Sequence, residues 1–135
     1  MAAIGLSPEA RLNDFSTFGF ILECLCIRDL RVYSTAFGGT VSYYHDRYGL
    51  ECDAVIHLDD GTYALVEMKL GSKEIDAGAK HLLKLADLIR DHKMKAPSLL
   101  MILTGGEFAY HRQDGVFIIP IGCRQFIFTL GILVV

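Results

Sequence analysis

The sequence lacks the signatures of several large protein classes. It contains no GxxxxGK[ST] segment, and the isolated pair Gly105-Gly106 does not replace one, so no P-loop for ATP is expected. The apolar run over residues 126–135 has about half the length of a membrane-spanning helix. No basic segment followed by an apolar one opens the chain as in a signal peptide. These absences predict a cytoplasmic protein with no membrane partner.

Positive charge is also scarce. The chain has 13 Lys and Arg residues against 16 Asp and Glu residues, which gives a formal net charge of −3 at pH 7. Contacts to phosphates dominate the affinity of proteins for DNA, and a domain that binds duplex DNA unaided therefore carries an excess of basic residues. The charge balance argues against strong autonomous binding to DNA.

Cysteine occurs four times, and no two cysteines form a CxxC pair. On a helix, the side chains of Cys24 and Cys26 would diverge by about 200°, which disfavours a zinc half-site. A disulfide framework is unusual in a chain with a large apolar core. We therefore predict that Cys24, Cys26, Cys52 and Cys123 are buried free thiols in a reducing compartment.

Apolar residues, by contrast, are abundant. They make up 52% of the 135 residues, and charged residues make up 21%. This length suits one domain with a real core. The composition predicts strands buried on both faces, or a surface covered by a partner. We expect the domain to span residues 14–122, with a lead-in over residues 1–13 and an apolar tail over residues 123–135.

The apolar periodicity predicts the order helix, three antiparallel strands, helix, strand and hairpin. The predicted helices cover residues 14–36 and 74–93, the first with Asp14 as its N-cap. The predicted strands cover residues 40–44, 50–58, 62–70, 98–104, 108–112 and 116–121. A strand, a helix and a strand in succession imply a right-handed crossover and parallel pairing. The predicted fold class is α/β, with a mixed central sheet flanked by helices.

The register of the second and third predicted strands follows from the loop that joins them. Asp59-Asp60-Gly61 fits a type I turn followed by a glycine in the left-handed conformation. Leu58 then pairs with Thr62, and the numbers of paired residues sum to 120. A two-residue loop would shift this register by one residue and turn the side chains to the opposite face.

Four charged side chains meet in this register. Asp53 stands opposite Glu67 and Glu51 opposite Lys69, and strand alternation places all four on one face. Facing carboxylates repel unless a cation separates them, and Mg²⁺ or Mn²⁺ binds carboxylate oxygens while keeping waters for a phosphate substrate. Lys69 would position or deprotonate the attacking water. A solvated hairpin face, on which Lys69 neutralises Glu51, explains the same spacing without chemistry.

A further acid lies in the first predicted helix. Glu23 follows Phe20 by three residues and precedes Ile27 and Leu30 by four and seven, so it lies within an apolar stripe. A carboxylate in such a stripe is either a functional group or a residue at the helix edge that pairs with a base such as Arg28. The helical pattern alone leaves both interpretations open.

Asp53, a spacer of thirteen residues and Glu67-Met68-Lys69 together resemble the PD-(D/E)xK motif of the restriction-endonuclease-like superfamily. Glu23 resembles the first-helix acid of the branch that includes archaeal Holliday-junction resolvases. Cys52 stands where that motif has proline. The resemblance implies that Asp53, Glu67 and Glu23 bind Mg²⁺ or Mn²⁺ and that Lys69 is the catalytic lysine. It also implies a core of helix, three antiparallel strands, helix and strand.

A longer stretch, from FGFILECLCIRDL to GVFIIPIG, is similar to the uncharacterised C-terminal domain of bacterial and archaeal AAA-type P-loop ATPases. This resemblance implies that the chain is normally the C-terminal part of an ATPase. Its expected partners are DNA, a P-loop ATPase domain or a second copy of itself. Two functions follow as expectations: a Mg²⁺-dependent endonuclease that hydrolyses DNA, or a non-catalytic module that docks a partner or binds nucleic acid without cutting it.

Overall fold

A computed structural model describes residues 8–36, 38–47 and 49–121. The described residues contain two α-helices, α1 and α2, and six strands, β1 to β6. In chain order these elements are α1 Pro8–Thr35, β1 Thr40–His45, β2 Glu51–His57, β3 Tyr63–Lys69, α2 Ile75–Asp91, β4 Leu99–Thr104, β5 Tyr110–His111 and β6 Val116–Pro120. The start of the predicted lead-in, the predicted apolar tail and Cys123 lie outside the described residues.

The strands form one mixed sheet in the order β1-β2-β3-β4-β6-β5. β1, β2 and β3 are antiparallel neighbours, β4 runs parallel to both β3 and β6, and β5 returns antiparallel to β6. The predicted α/β class and the predicted parallel pairing after the second helix are confirmed, and the arrangement agrees with a restriction-endonuclease-like core. Across the described part of the chain, no helix is long and apolar enough to span a bilayer.

The β2–β3 hairpin has the predicted loop. Leu58 N–H donates to Thr62 O at 2.9 Å, and Gly61 adopts φ +85°, the left-handed conformation that glycine reaches without strain. The ladder runs from His57↔Tyr63 to Ala54↔Val66, and the numbers of each pair sum to 120. The register deduced from the loop is therefore confirmed over these four pairs.

The sheet separates two apolar clusters. One contains the inward stripe of α2, in which Ile75, Ala79 and Leu82 pack with buried residues of β2, β3, β4 and β6. The other contains Cys26 and Leu30 of α1, which pack on the opposite set of sheet residues. The sheet is thus buried on both sides, as the high apolar content predicted.

Helix α1 differs from the prediction in its start and in its inward face. It begins at Pro8, six residues before the predicted N-cap Asp14, because proline lacks only an N–H that the first helical turn leaves unbonded. Its buried residues include Cys26 and Leu30, whereas Phe20 is 66% exposed. Of the predicted stripe, Leu30 is confirmed as buried, whereas the placement of Phe20 on the same face is wrong.

The cysteines divide into two environments. Cys26 and Cys52 are buried free thiols, as predicted, whereas Cys24 is exposed. The reason is helical geometry, because residues two positions apart on α1 point in nearly opposite directions, one toward the sheet and the other toward solvent. Burial raises the pKa of the Cys52 thiol to about 12, while the thiol donates to the carbonyl oxygens of Ala54 and Val66.

We predict selective alkylation of the native chain at pH 8. Iodoacetamide should label Cys24 at least about tenfold faster than Cys52, because thiolates react and a buried thiol with a high pKa remains protonated. Peptide mapping by mass spectrometry at timed intervals measures each site separately. Equal rates at Cys24 and Cys52 in the folded protein would contradict the packing of β2.

A second prediction concerns Lys93, which follows α2 with φ 57°. Lys93 N–H donates to Arg90 O, and Met94 N–H to Ile89 O, a helix ending that favours glycine at the left-handed position. Lys93→Gly should raise the free energy of unfolding by about 0.5–1 kcal/mol, measured by urea denaturation. Lys93→Ala is the control and should give no comparable gain, because it retains the β-carbon that strains this conformation.

Candidate active site

Glu67 and Lys69 form an ion pair near the carboxyl end of β3. Two positions apart on one strand, they project from the same face, and Lys69 Nζ lies 3.6 Å from Glu67 Oε2. Glu67 is only 3% exposed, and an ionised carboxylate so deeply buried needs partners to offset its lost hydration. The sequence motif thus corresponds to a real contact between its last two charged residues.

Helix α2 supplies a second partner for Glu67. His81 Nδ1 makes a hydrogen bond to Glu67 Oε1, so both carboxylate oxygens face a nitrogen. Gly78, one turn earlier, allows this close approach: a β-carbon there would lie 3.3 Å from both Glu67 Oε2 and Lys69 Cε. The sequence pattern does not distinguish His81; the small residues Gly78 and Ala79, near the start of α2, are the available signal.

Asp53 lies at a β-bulge. Along the β1–β2 ladder, Ser42 pairs with Val55 but Tyr44 with Cys52, so Asp53 and Ala54 together face one residue of β1. The bulge frees the Asp53 side chain to accept the Met68 N–H at Oδ2, at 2.8 Å. Where the β2–β3 ladder ends, the Met68 N–H is therefore bonded to the Asp53 carboxylate and not to a backbone carbonyl of β2.

This bulge alters the single charged face that regular alternation predicted. Cys52 belongs to the apolar cluster beneath α2, whereas Ala54 belongs to the cluster beneath α1. In an unbroken strand these two positions would share a face. The observed ladder ends at Ala54↔Val66, so the predicted pair of Asp53 and Glu67, the next one along, is not part of it.

Glu51 has partners other than the predicted Lys69. Tyr43 Oη donates to Glu51 Oε2 at 3.3 Å, and His45 Nδ1 lies 3.6 Å from the same oxygen. Lys69 instead pairs with Glu67. The predicted Glu51–Lys69 pair is therefore not formed as a contact, because β1 carries two polar rings that reach Glu51 and the ladder does not extend to that pair.

Glu23 faces the sheet from α1, in a cleft of about 170 Å³. Lys69, Met68 and Leu103 also line the cleft. Burial raises the pKa of the Glu23 carboxyl, the negative charges of Asp53 and Glu51 raise it further, and Lys69 opposes them. Glu23, Asp53 and Lys69 therefore share one electrostatic environment, although they come from three different elements.

The described residues do not form a ready cluster of metal ligands. No group of three or more His, Cys, Asp or Glu side chains among them is placed to hold an ion, which disfavours a structural zinc centre with its closed set of four ligands. Mg²⁺ needs fewer ligands from the protein, because it often binds one or two carboxylates together with several waters and substrate phosphates. The donors here are of the kind that Mg²⁺ uses.

The His81–Glu67 bond should make a measurable contribution to stability. His81→Leu should lower the free energy of unfolding by about 1–3 kcal/mol, because the Glu67 carboxylate would remain buried with one partner fewer. A double-mutant cycle with Glu67→Leu, measured by urea denaturation without divalent metal, isolates the interaction. The double variant should lose less than the sum of the single variants, and strict additivity would argue against the bond.

Comparison with known proteins identifies one family. A family model described as a domain of unknown function (DUF4143) matches residues 18–124, a range that includes Glu23, Asp53, Glu67, Lys69 and His81. No curated protein and no solved structure matches the chain. Since the family match covers most of the 135 residues, the chain belongs to the DUF4143 family.

Proposed function

We propose that this chain is a PD-(D/E)xK nuclease-like domain that hydrolyses phosphodiester bonds of DNA with Mg²⁺ or Mn²⁺. The observation that supports it most is that Glu23 of α1 and Lys69 of β3 line one cleft, while the negative charge of Asp53 on β2 is near enough to raise the pKa of Glu23. Apolar burial alone would not place an acid of α1 near two acids of β2. Such an excess of negative charge beside a lysine suits a hard cation and a phosphate.

The donor chemistry fits such an ion. Glu23 and Asp53 are only partly buried, and Asp53 Oδ2 is the oxygen that accepts Met68 N–H. Glu67 is more deeply buried and pairs with both His81 and Lys69. Asp53 would therefore be the main ligand, and Glu67 would contribute after turning away from His81. An ion bound here would polarise the phosphate and lower the pKa of a bound water.

Each side chain then has a distinct task. Lys69 would donate a hydrogen bond to the attacking water or to a phosphate oxygen, and Glu67 would hold the ammonium group in place through the 3.6 Å ion pair. Glu23, which lines the same cleft as Lys69, would tune or bind a second ion. The Asp53 hydrogen bond to the β3 backbone would fix the distance between the two strands.

The wider setting of the proposal follows from the resemblance to ATPase C-terminal domains. A P-loop ATPase domain in the same or another chain, or a second copy of this one, would supply the basic surface for DNA that a net charge of −3 does not. The folded unit would include α1 from Pro8 onward and would lie in the cytoplasm. DNA would be the substrate, and the ATPase would control access to it.

A metal titration tests the proposal. Mg²⁺ or Mn²⁺ should support nicking of supercoiled plasmid, or cleavage of a four-way junction, by the wild-type chain. Asp53→Ala should lower the rate by at least about 100-fold and remove any rise in melting temperature with metal, because it deletes the main proposed ligand.

The matched control is Asp87→Ala, which removes an exposed acid of α2 that pairs with Arg90. It should behave as wild type in both assays. Equal background cleavage by wild type and Asp53→Ala, over a range of metal concentrations, would refute the catalytic proposal.

A non-catalytic module that docks an ATPase or another partner is the second candidate. Two observations favour it. Both carboxylate oxygens of Glu67 already have partners, His81 and Lys69, and α1 exposes several large apolar side chains, namely Phe20, Ile21, Leu25 and Val32. Under this function, divalent metal would leave the melting temperature unchanged, and Lys69→Ala would bind the partner as wild type does.

A further inference from the structure

Two aromatic side chains stand side by side on the edge strand of the sheet. Tyr43 and His45 are two positions apart on β1 and therefore share a face. Their ring centroids are 6.3 Å apart and their planes differ by 7°. Tyr43 is 62% exposed, and 55% of the His45 side chain is exposed. The two parallel rings therefore lie at the surface of the edge strand, where a ligand can reach them.

A carboxylate of the next strand aligns the two rings. Tyr43 Oη donates to Glu51 Oε2, and His45 Nδ1 lies 3.6 Å from the same oxygen. Exposed aromatic side chains without such contacts occupy several rotamers. Because Glu51 engages both, much of the conformational freedom that ligand binding would remove is already lost, which favours binding.

The paired rings lie beside the proposed active site. Glu51, which contacts both rings, precedes Asp53 by two residues on β2. The surroundings of Tyr43 show the same proximity: loss of solvent raises the pKa of its hydroxyl, and the negative charges of Glu51, Asp53 and Glu23 raise it further. A ligand stacked on these rings would therefore place its neighbouring groups next to Asp53.

We propose that Tyr43 and His45 form a stacking platform for an unpaired nucleobase of the DNA strand that the site acts on. This rests on the proposed function and names its substrate class: DNA with single-stranded character, such as a flap, a gap or an open junction. Aromatic rings bind unstacked bases whatever their sequence. A base within a closed duplex is covered on both faces by its neighbours and cannot stack on the platform.

The charges around the platform also favour a stacking mode. Glu51, Asp53 and Glu23 repel phosphates in the absence of metal, so binding through phosphate contacts is disfavoured there. Stacking requires no positive charge on the protein. The affinity for a single strand should therefore fall less steeply with salt than the affinity of a protein that neutralises several phosphates.

Binding without hydrolysis tests the inference. Fluorescence anisotropy would compare a labelled 12-nucleotide single strand with a blunt duplex of the same length, in EDTA, with the full chain. We expect tighter binding of the single strand by the wild type. Tyr43→Leu should weaken it by about tenfold, because alanine substitution of a stacking residue typically has an effect of this order.

Two variants control for other effects of the substitution. Tyr43→Phe retains the ring but loses the hydrogen bond to Glu51, and should bind within about threefold of wild type. Tyr44→Leu changes the neighbouring exposed residue of β1 and should bind as wild type. If the three variants bind equally, or if wild type binds the duplex as tightly as the single strand, the platform is refuted.

The outcome separates this inference from the proposed function. A tenfold loss in Tyr43→Leu without metal-dependent cleavage by the wild type would establish the platform and reject the nuclease. Cleavage by the wild type with an unchanged KM for single strands in Tyr43→Leu would establish the nuclease and reject the platform. The platform would also be rejected if the affinity for the single strand fell with salt as steeply as it does for a protein that neutralises several phosphates.

Discussion

The site depends on one buried acidic side chain. Glu67 lies on the central strand β3, is almost inaccessible to solvent, and contacts His81 and Lys69. Removing a carboxylate from water costs several kcal/mol unless nearby groups replace its hydration. The packing of α2 on the sheet brings His81 to Glu67 and supplies one of these groups. Apolar contacts and this hydrogen bond therefore favour the same position of the helix.

Local chemistry explains which parts of the fold were predictable. The β2–β3 register followed from Asp59-Asp60-Gly61 because a loop of that length and composition has few conformations. The parallel strand after α2 followed from the length of the crossover. The bulge at Asp53 was not predictable, because it depends on pairing with β1. Nor was the bond between Glu67 and His81, which needs the packing distance between helix and sheet.

In the candidate site, too, some features follow from local sequence and others depend on contacts between elements. Spacing along one strand sufficed to bring Glu67 and Lys69 together, and the helical period placed Glu23 on the side of Cys26 and Leu30, facing the sheet. The partners of Glu51 were missed because hydrogen bonding by two rings of β1 competes with a salt bridge to lysine. Motif spacing thus selects the residues of the candidate site, whereas side-chain contacts between elements determine which of them interact.

Gly78 illustrates how the domain trades helix stability against the arrangement of charges. A glycine in the middle of a helix costs about 1 kcal/mol relative to alanine, yet the space left by its missing side chain admits Ile102, Glu67 and Lys69 to the surface of α2. A β-carbon at Gly78 would lie 3.2 Å from Ile102 Cδ1 and 3.3 Å from both Glu67 Oε2 and Lys69 Cε, so these side-chain ends would have to move to admit it. Replacement of helix glycines by alanine, a common route to more stable proteins, would at this position disturb the side chains that surround the Glu67 carboxyl group.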